Sequence, residues 1–172
     1  MNHDELYEAL DSSREKLLVL VDPLSDELLV RPGTIGNWSV RDLLFHLTTW
    51  EAELVTGLNS LDRNKKPGRL MDALADREAY NTARMAENPD RDLNRVFKDL
   101  QDVRFQLENW LEAFSARDLS DLKRYKWFEG EPLWKIIAET SFEHEASHLP
   151  ALEQLLDQLA DPPIGLNNIE VL

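Results

Sequence analysis

Four histidines stand among 172 residues, and three of them fall inside segments that are otherwise apolar at helical spacing. His144 and His148 are one helical turn apart. That spacing stacks two imidazoles on one face and lets both rings reach a common point, as a metal ion requires of two ligands on one helix. Drawn on a single helix, Leu133, Ile137, Thr140, His144, His148, Ala151 and Leu155 lie within about 40° of one line. The pair therefore sits in the middle of a core-facing stripe. His46 lies in a second apolar segment, on the flank shared with Trp50, about 60° from the centre set by Leu43, Leu47 and Leu54. Burying a neutral imidazole without a partner costs about 1–3 kcal/mol. Three such burials in one core point to a shared purpose, and one divalent ion held by His46, His144 and His148 supplies it. Taken singly, each ring has a plainer reading as a core histidine bonded to a carbonyl or a glutamate. His3, at the N-terminal end, is expected to fray.

His144-Glu145-Ala146-Ser147-His148 also matches H-E-x-x-H, the pattern in which two histidines hold zinc and the glutamate is the general base of a peptidase. That chemistry needs a third ligand downstream. No histidine follows His148, and the one well-spaced carboxylate is Glu170 in the tail. No strand is predicted to hold a peptide substrate, and Pro150 follows the motif closely. The peptidase reading is kept behind the three-histidine site. In that site Glu145 and Glu51 are the candidate proton carriers.

Helical periodicity dominates the chain, and no strand-like alternation is long enough to compete. A first helix is predicted from about Asp4 to Val21, with Leu6, Leu10, Leu17, Leu18 and Val21 as its stripe, stopped by Asp22-Pro23. After a turn-rich loop, Ser39-Val40-Arg41-Asp42 forms a capping box. It opens a second helix that carries Val40, Leu43, Leu44, Leu47, Trp50, Leu54 and Leu58 on one face and ends near Gly57. Asn59 to about Leu70 reads as a crossover loop, too long for a tight antiparallel turn. A third region is broken at Asn88-Pro89-Asp90 into a short piece, Asp72 to Glu87, and a long one, Asp90 to Phe114. Ser115 to Gly130 is a second connection. Pro132 then starts a last helix that runs unbroken to about Leu159, bent beside Pro150, with Asp161-Pro162-Pro163 at its end. Residues 1–172 read as a single domain.

Composition narrows the partners. With 33 acidic and 19 basic residues the formal net charge is −14, a surface that repels nucleic-acid backbones and anionic lipid. The densest basic run, Arg63 to Arg69, reads as a solvated connection. No cysteine is present, which removes disulfides, thiolate ligands and cysteine nucleophiles and suits a reducing cytoplasm. No signal peptide and no apolar run of about 20 residues is visible. The expectation is a cytoplasmic protein with neither nucleic acid nor membrane as partner.

Asn37-Trp38-Ser39-Val40-Arg41-Asp42-Leu43-Leu44-Phe45-His46-Leu47-Thr48-Thr49-Trp50-Glu51 resembles the second-helix signature of the DinB/YfiT-like superfamily. Glu143-His144-Glu145-Ala146-Ser147-His148 resembles its fourth-helix signature. Ala79-Tyr80-Asn81 and Trp127-Phe128-Glu129-Gly130 are similar to the ClbS/DfsB branch. The resemblance covers nearly the whole chain. It implies an all-α four-helix bundle in up-down-down-up order, with His46, His144 and His148 holding a divalent metal, zinc or nickel, that keeps open positions. It implies a small-molecule substrate, with a low-molecular-weight thiol among the candidates, and a homodimer. Asn81 is a pocket candidate by resemblance, against a plain reading as a solvated helix residue, and Trp50 is a pocket wall. The sequence departs from the pattern at Leu149-Pro150-Ala151, where Gly-Gln is common, and at Glu145, where the ClbS branch has an aromatic residue.

Three functions follow. One is an enzyme in which the metal activates water or a thiol toward a small electrophile, as a hydrolase or transferase. The second is a stress or resistance protein that binds a metal or small molecule without turnover. The third is a helical interaction protein whose histidines only fill the core. A solvent-accessible cavity beside the histidines separates the first from a sealed structural site.

Overall fold

Side-chain caps set where several helices of this computed structural model begin; it describes residues 1–87 and 91–160. Helix α1 (His3–Val21) opens on a capping box between Asn2 and Glu5, and α3 (Val40–Asp62) on the box between Ser39 and Asp42. Each box satisfies backbone N–H groups that the first turn leaves without partners. Ser25 caps the short α2 (Asp26–Leu29) inside the first predicted loop. Asp92 caps α6 (Leu93–Leu111), and Ser115 and Asp118 box the start of α7 (Ala116–Ser120). The fold is all-α. Among the described residues the only β pairing is an isolated bridge between Ile35 and Trp38.

Three boundaries differ from expectation. The second predicted helix does not stop at Gly57 but runs on to Asp62. A Cβ on Gly57 would lie 2.6 Å from Leu70 Cδ2. The glycine is there to let α4 (Gly68–Ala75) approach, and fully burying Leu70 offsets the backbone entropy it costs. The crossover loop is correspondingly short. Next, the piece predicted over Asp72 to Glu87 is two helices, α4 and α5 (Arg77–Glu87). They are separated by Asp76, which leaves helical geometry (φ −140, ψ 78) and accepts a hydrogen bond from Ala79 N–H at 3.0 Å. The predicted break at Asn88-Pro89-Asp90 lies outside the described residues. Finally, the last helix is broken in two, α8 (Leu133–Thr140) and α9 (Phe142–Ala160). Ser141 is the break, at φ −129, ψ −101. Thr140 Oγ1 donates to the Ile136 carbonyl at 2.6 Å and Ser141 Oγ to the Ile137 carbonyl at 2.5 Å. Hydroxyls thus occupy the carbonyls that the helix ladder would use. Pro150 lies inside α9, which continues through it. The second connection also holds a 3₁₀ turn, Lys126–Phe128.

Two apolar clusters form the core. One contains Leu6, Leu10, Leu54, Leu58, Leu107, Leu111, Leu133 and Ile137; the other contains Leu17, Val21, Val40, Leu43, Leu47, Val96, Leu100, Leu152 and Leu155. The order in which each helix visits them gives its direction. Helix α1 and the α8–α9 pair pass from the first cluster to the second. Helices α3 and α6 pass from the second to the first. Between the clusters every long helix contributes a buried polar group: Ser13 from α1, Glu51 from α3, Arg104 from α6 and Glu145 from α9. His3 does not fray; its Nε2 lies 2.7 Å from the Phe114 carbonyl and 3.2 Å from that of Leu111, at the end of α6, where an imidazole suits the carbonyl-rich terminus.

Candidate metal centre

His46 is carried by α3 and is 3% exposed, while His144 and His148 project from the first turns of α9 and are half-buried. The three meet. His144 Nε2 lies 3.0 Å from His46 Nε2 and 3.2 Å from His148 Nε2. The ring centroids are 4.8, 5.0 and 5.2 Å apart and the planes are steeply inclined to one another. One ligand nitrogen from each ring falls within a 4.8 Å set.

Hydrogen bonding alone does not explain this packing. Each Nε2 offers one site, either an N–H or a lone pair. His144 Nε2 meets two other Nε2 atoms, so it serves one and leaves the other lone pair or N–H facing it unmatched. A cation serves all three. At zinc–imidazole bond lengths, two nitrogens on one ion stand about 2.9–3.4 Å apart for angles between a right angle and the tetrahedral value. The two short contacts fall in that range. The protonation states agree. Burial, with the neighbouring His148 ring adding to it, pushes His46 down to about 4. Burial, then His46, His148 and the Arg77 guanidinium, pushes His144 down to about 3. Burial also lowers His148. At neutral pH all three rings are uncharged with lone pairs to donate.

Aromatic residues wall the cluster. The Trp38 ring centroid lies 4.9 Å from His46, and Trp50 lies 5.7 Å from His144. Helix α5 covers the site from outside and has no buried residue of its own. It is held by polar and aromatic contacts. Trp50 Nε1 donates to Asn81 Oδ1 at 2.9 Å, Tyr80 packs at a tilt against Trp50 with ring centroids 4.7 Å apart, and Tyr80 Oη donates to the Thr49 carbonyl at 3.0 Å. Beside the cluster is a recess of about 610 Å³ lined by Trp38, Arg77, Glu78, Asn81, Thr82 and Met85. Asn81 is thus both tied to Trp50 and on the recess wall.

The two carboxylates expected to carry protons occupy a different face. Glu51 is 2% exposed and Glu145 1%. Glu51 Oε1 accepts from Arg104 Nη2 at 2.5 Å and from Arg14 Nη2 at 3.2 Å. Glu145 Oε2 accepts from Arg14 Nε at 3.0 Å and from Arg104 Nη2 at 3.1 Å. Each arginine also reaches a backbone carbonyl, Arg14 that of Leu100 and Arg104 that of Leu10. Each therefore bonds to all three of the other long helices. Sequence reasoning missed both arginines. Their signal is present all the same: Ser13-Arg14 fills the six-residue gap between Leu10 and Leu17, and Arg104 follows Leu100 by one turn. The peptidase reading loses support here, because the Glu145 carboxylate is engaged by two guanidiniums. Glu170, its third ligand, lies outside the described residues. Among those residues no helix is long and apolar enough to cross a membrane.

A family model described as the DinB superfamily matches residues 9–161. The crystal structure of an uncharacterised protein from Escherichia coli UTI89, 18% identical, covers 92% of this chain and 95% of its own with a TM-score of 0.76. No curated protein matches the chain.

Proposed function

The chain belongs to the DinB superfamily, and from that premise we propose that it is a metal-dependent enzyme in which His46, His144 and His148 hold one divalent ion, zinc or nickel. It acts on a small electrophilic molecule as a hydrolase or a thiol-dependent transferase. The observation that carries this reading is the approach of His46 Nε2 and His148 Nε2 to the same atom of His144 at 3.0 and 3.2 Å. Bound there, the ion supplies Lewis acidity and lowers the pKa of a water or thiol that reaches it. Three protein ligands leave coordination open, the pattern of catalytic rather than structural zinc.

The residues of the chain do the rest. Trp38 and Trp50 shield the imidazoles, and Trp38 gives the recess an apolar wall. Asn81, fixed by Trp50, presents a polar side chain to the recess. Glu51 and Glu145, bonded to Arg14 and Arg104, hold α3 and α9 at the spacing the three rings need. A proton carried by either carboxylate would break a buried ion pair, so their contribution to chemistry is positional. A recess of about 610 Å³ begins at Trp38, which packs on His46, and supports turnover over a sealed site.

Elemental analysis of untagged protein purified without chelators tests the metal. Stoichiometric zinc or nickel in the wild type, lost in the His46→Ala variant, is the expected result. Metal-loaded protein is then screened for hydrolysis of small electrophiles and for transfer to low-molecular-weight thiols. Metal content that does not change when all three histidines are replaced would overturn the proposal. Metal without turnover would reduce it to a binding protein.

A further inference from the structure

We infer that Arg77 selects the substrate, by holding a carboxylate on the small molecule that enters the recess beside His144. The inference rests on the metal reading above and names the substrate class for it. Arg77 is the first residue of α5, and its guanidinium carbon lies 5.3 Å from the Trp50 ring centroid, over the ring. Trp50 in turn packs against His144 at 5.7 Å. The cation is therefore one indole ring away from the imidazole cluster, and it lines the same recess as Trp38 and Asn81. A cation over an indole face is held there by the ring's quadrupole without using its N–H groups. Among the described residues those groups make no hydrogen bond. The nearest carboxylate oxygen is Glu139 Oε2 at 3.6 Å, in a pair whose side chains are 45% and 37% exposed. An ion pair that long and that wet holds its arginine weakly, so an incoming carboxylate competes well for it. A planar fork with spare donors is matched to a carboxylate, which takes two parallel N–H bonds.

Charge counting points the same way. Three neutral imidazoles leave both charges of a divalent ion uncompensated, because no carboxylate is in the ligand set. The guanidinium lies on the wall of a recess that has Glu78 as its one acidic lining residue, and the ion's two charges would add to it from behind Trp38 and Trp50. The net charge of −14 over the whole chain gives no general attraction for anions. A local preference for an anionic ligand must therefore come from this corner.

The test uses full-length protein loaded with cobalt, whose absorption reports a thiolate reaching the ion, and two matched probes: 3-mercaptopropionate, which has a carboxylate, and the uncharged 2-mercaptoethanol. Wild type is expected to bind the carboxylate probe more tightly by about tenfold or more, the scale of one charge-assisted bidentate contact. Arg77→Met is expected to bring the two probes to near parity by weakening only the first, with cobalt content and 2-mercaptoethanol affinity unchanged. Arg77→Lys should keep part of the preference. Tyr80 and Asn81 still dock α5 in either variant, and the uncharged probe reports whether the site is intact. A preference that survives in Arg77→Met belongs to the metal and overturns the inference, as does its absence from wild type. A protein that takes up no cobalt would remove the metal reading itself, an outcome visible before any probe is added.

Discussion

Arg104 Nη2 meets Glu51 Oε1 at 2.5 Å on a face of α3 about 140° around the helix from His46. One helix thus presents an ion pair on one face and a histidine of the cluster on another. The pair belongs to a set of four charges between the two apolar clusters, of which Glu51, Arg104 and Glu145 are buried and Arg14 is partly exposed. Because both arginines bond across to α9 as well as α3, the layer fixes the relative height of His46 and the His144–His148 pair.

Removing one member of such a layer leaves its buried partners charged and short of a counterion. Arg104→Met takes a donor from both Glu51 and Glu145, and breaking a buried pair from one side costs about 3–5 kcal/mol. Chemical denaturation should show that loss. Neutralising the layer as well, in Arg104→Met with Glu51→Gln, should recover part of it, since the second change removes a stranded charge. A single variant within 1 kcal/mol of wild type, judged against the small median effect of exposed pairs, would show that the layer is hydrated rather than buried.

Ligation stabilises only the folded chain, so the metal should register in thermal unfolding. At a free-ion concentration of about 100 times Kd the gain is about 2.7 kcal/mol. Zinc or nickel should raise Tm in wild type, and a chelator should return it to the metal-free value. His46→Ala, His144→Ala and His148→Ala should each abolish most of the increment, because two imidazoles hold a divalent ion far less well than three. An equal rise in Tm for all three variants would place the ion elsewhere.

In the metal-free protein the same histidines give stability a pH dependence of definite sign. An unfolded imidazole titrates near 6.5, whereas His46 is held down to about 4 and His144 to about 3 in the fold. Between those values the unfolded chain binds protons that the folded chain refuses. Stability therefore falls as pH drops from about 6.5 through 4 and toward 3, and no further loss from these groups occurs below that. Denaturation midpoints across pH 3.5–7, compared with a variant carrying glutamine at positions 46, 144 and 148, read the effect. Parallel profiles for the two proteins would show that the histidines do not contribute to it.

Much of the site is legible in the sequence because apolar stripes expose a misplaced polar residue. His144 and His148 stand out at one-turn spacing within such a stripe, and His46 stands out beside Leu43 and Leu47. What spacing cannot reveal is that residues 98 apart in sequence share a contact. Arg14 and Arg104 were hidden for the opposite reason. Charged residues at stripe positions read as exposed ends, and only the partners on three other helices show them to be interior. The helix boundaries were missed where side chains outvoted the pattern. Gly57 looks like a terminus until Leu70 is seen against it. Thr140 and Ser141 look like ordinary helix residues until both hydroxyls are found on carbonyls one turn back.

Gly57 tests that last lesson. Alanine is the better helix former, and in an exposed helix the change would stabilise by roughly 0.5–1 kcal/mol. Here the new methyl would sit 2.6 Å from Leu70 Cδ2 and 3.2 Å from Leu70 Cβ. Leu70 is 1% exposed and packed in the first cluster, so it has nowhere to go without moving α4. Overpacking of this kind costs about 1–3 kcal/mol, and the balance is destabilising. The loss should be local: amide exchange should quicken in α4 while α1 and α9 keep their protection. Shrinking the partner should relieve it, so Gly57→Ala with Leu70→Val should be more stable than Gly57→Ala alone, although Leu70→Val costs stability in the wild-type background. If the two substitutions simply add, helix α4 does not depend on the bare Cα, and the glycine is in α3 for some other reason.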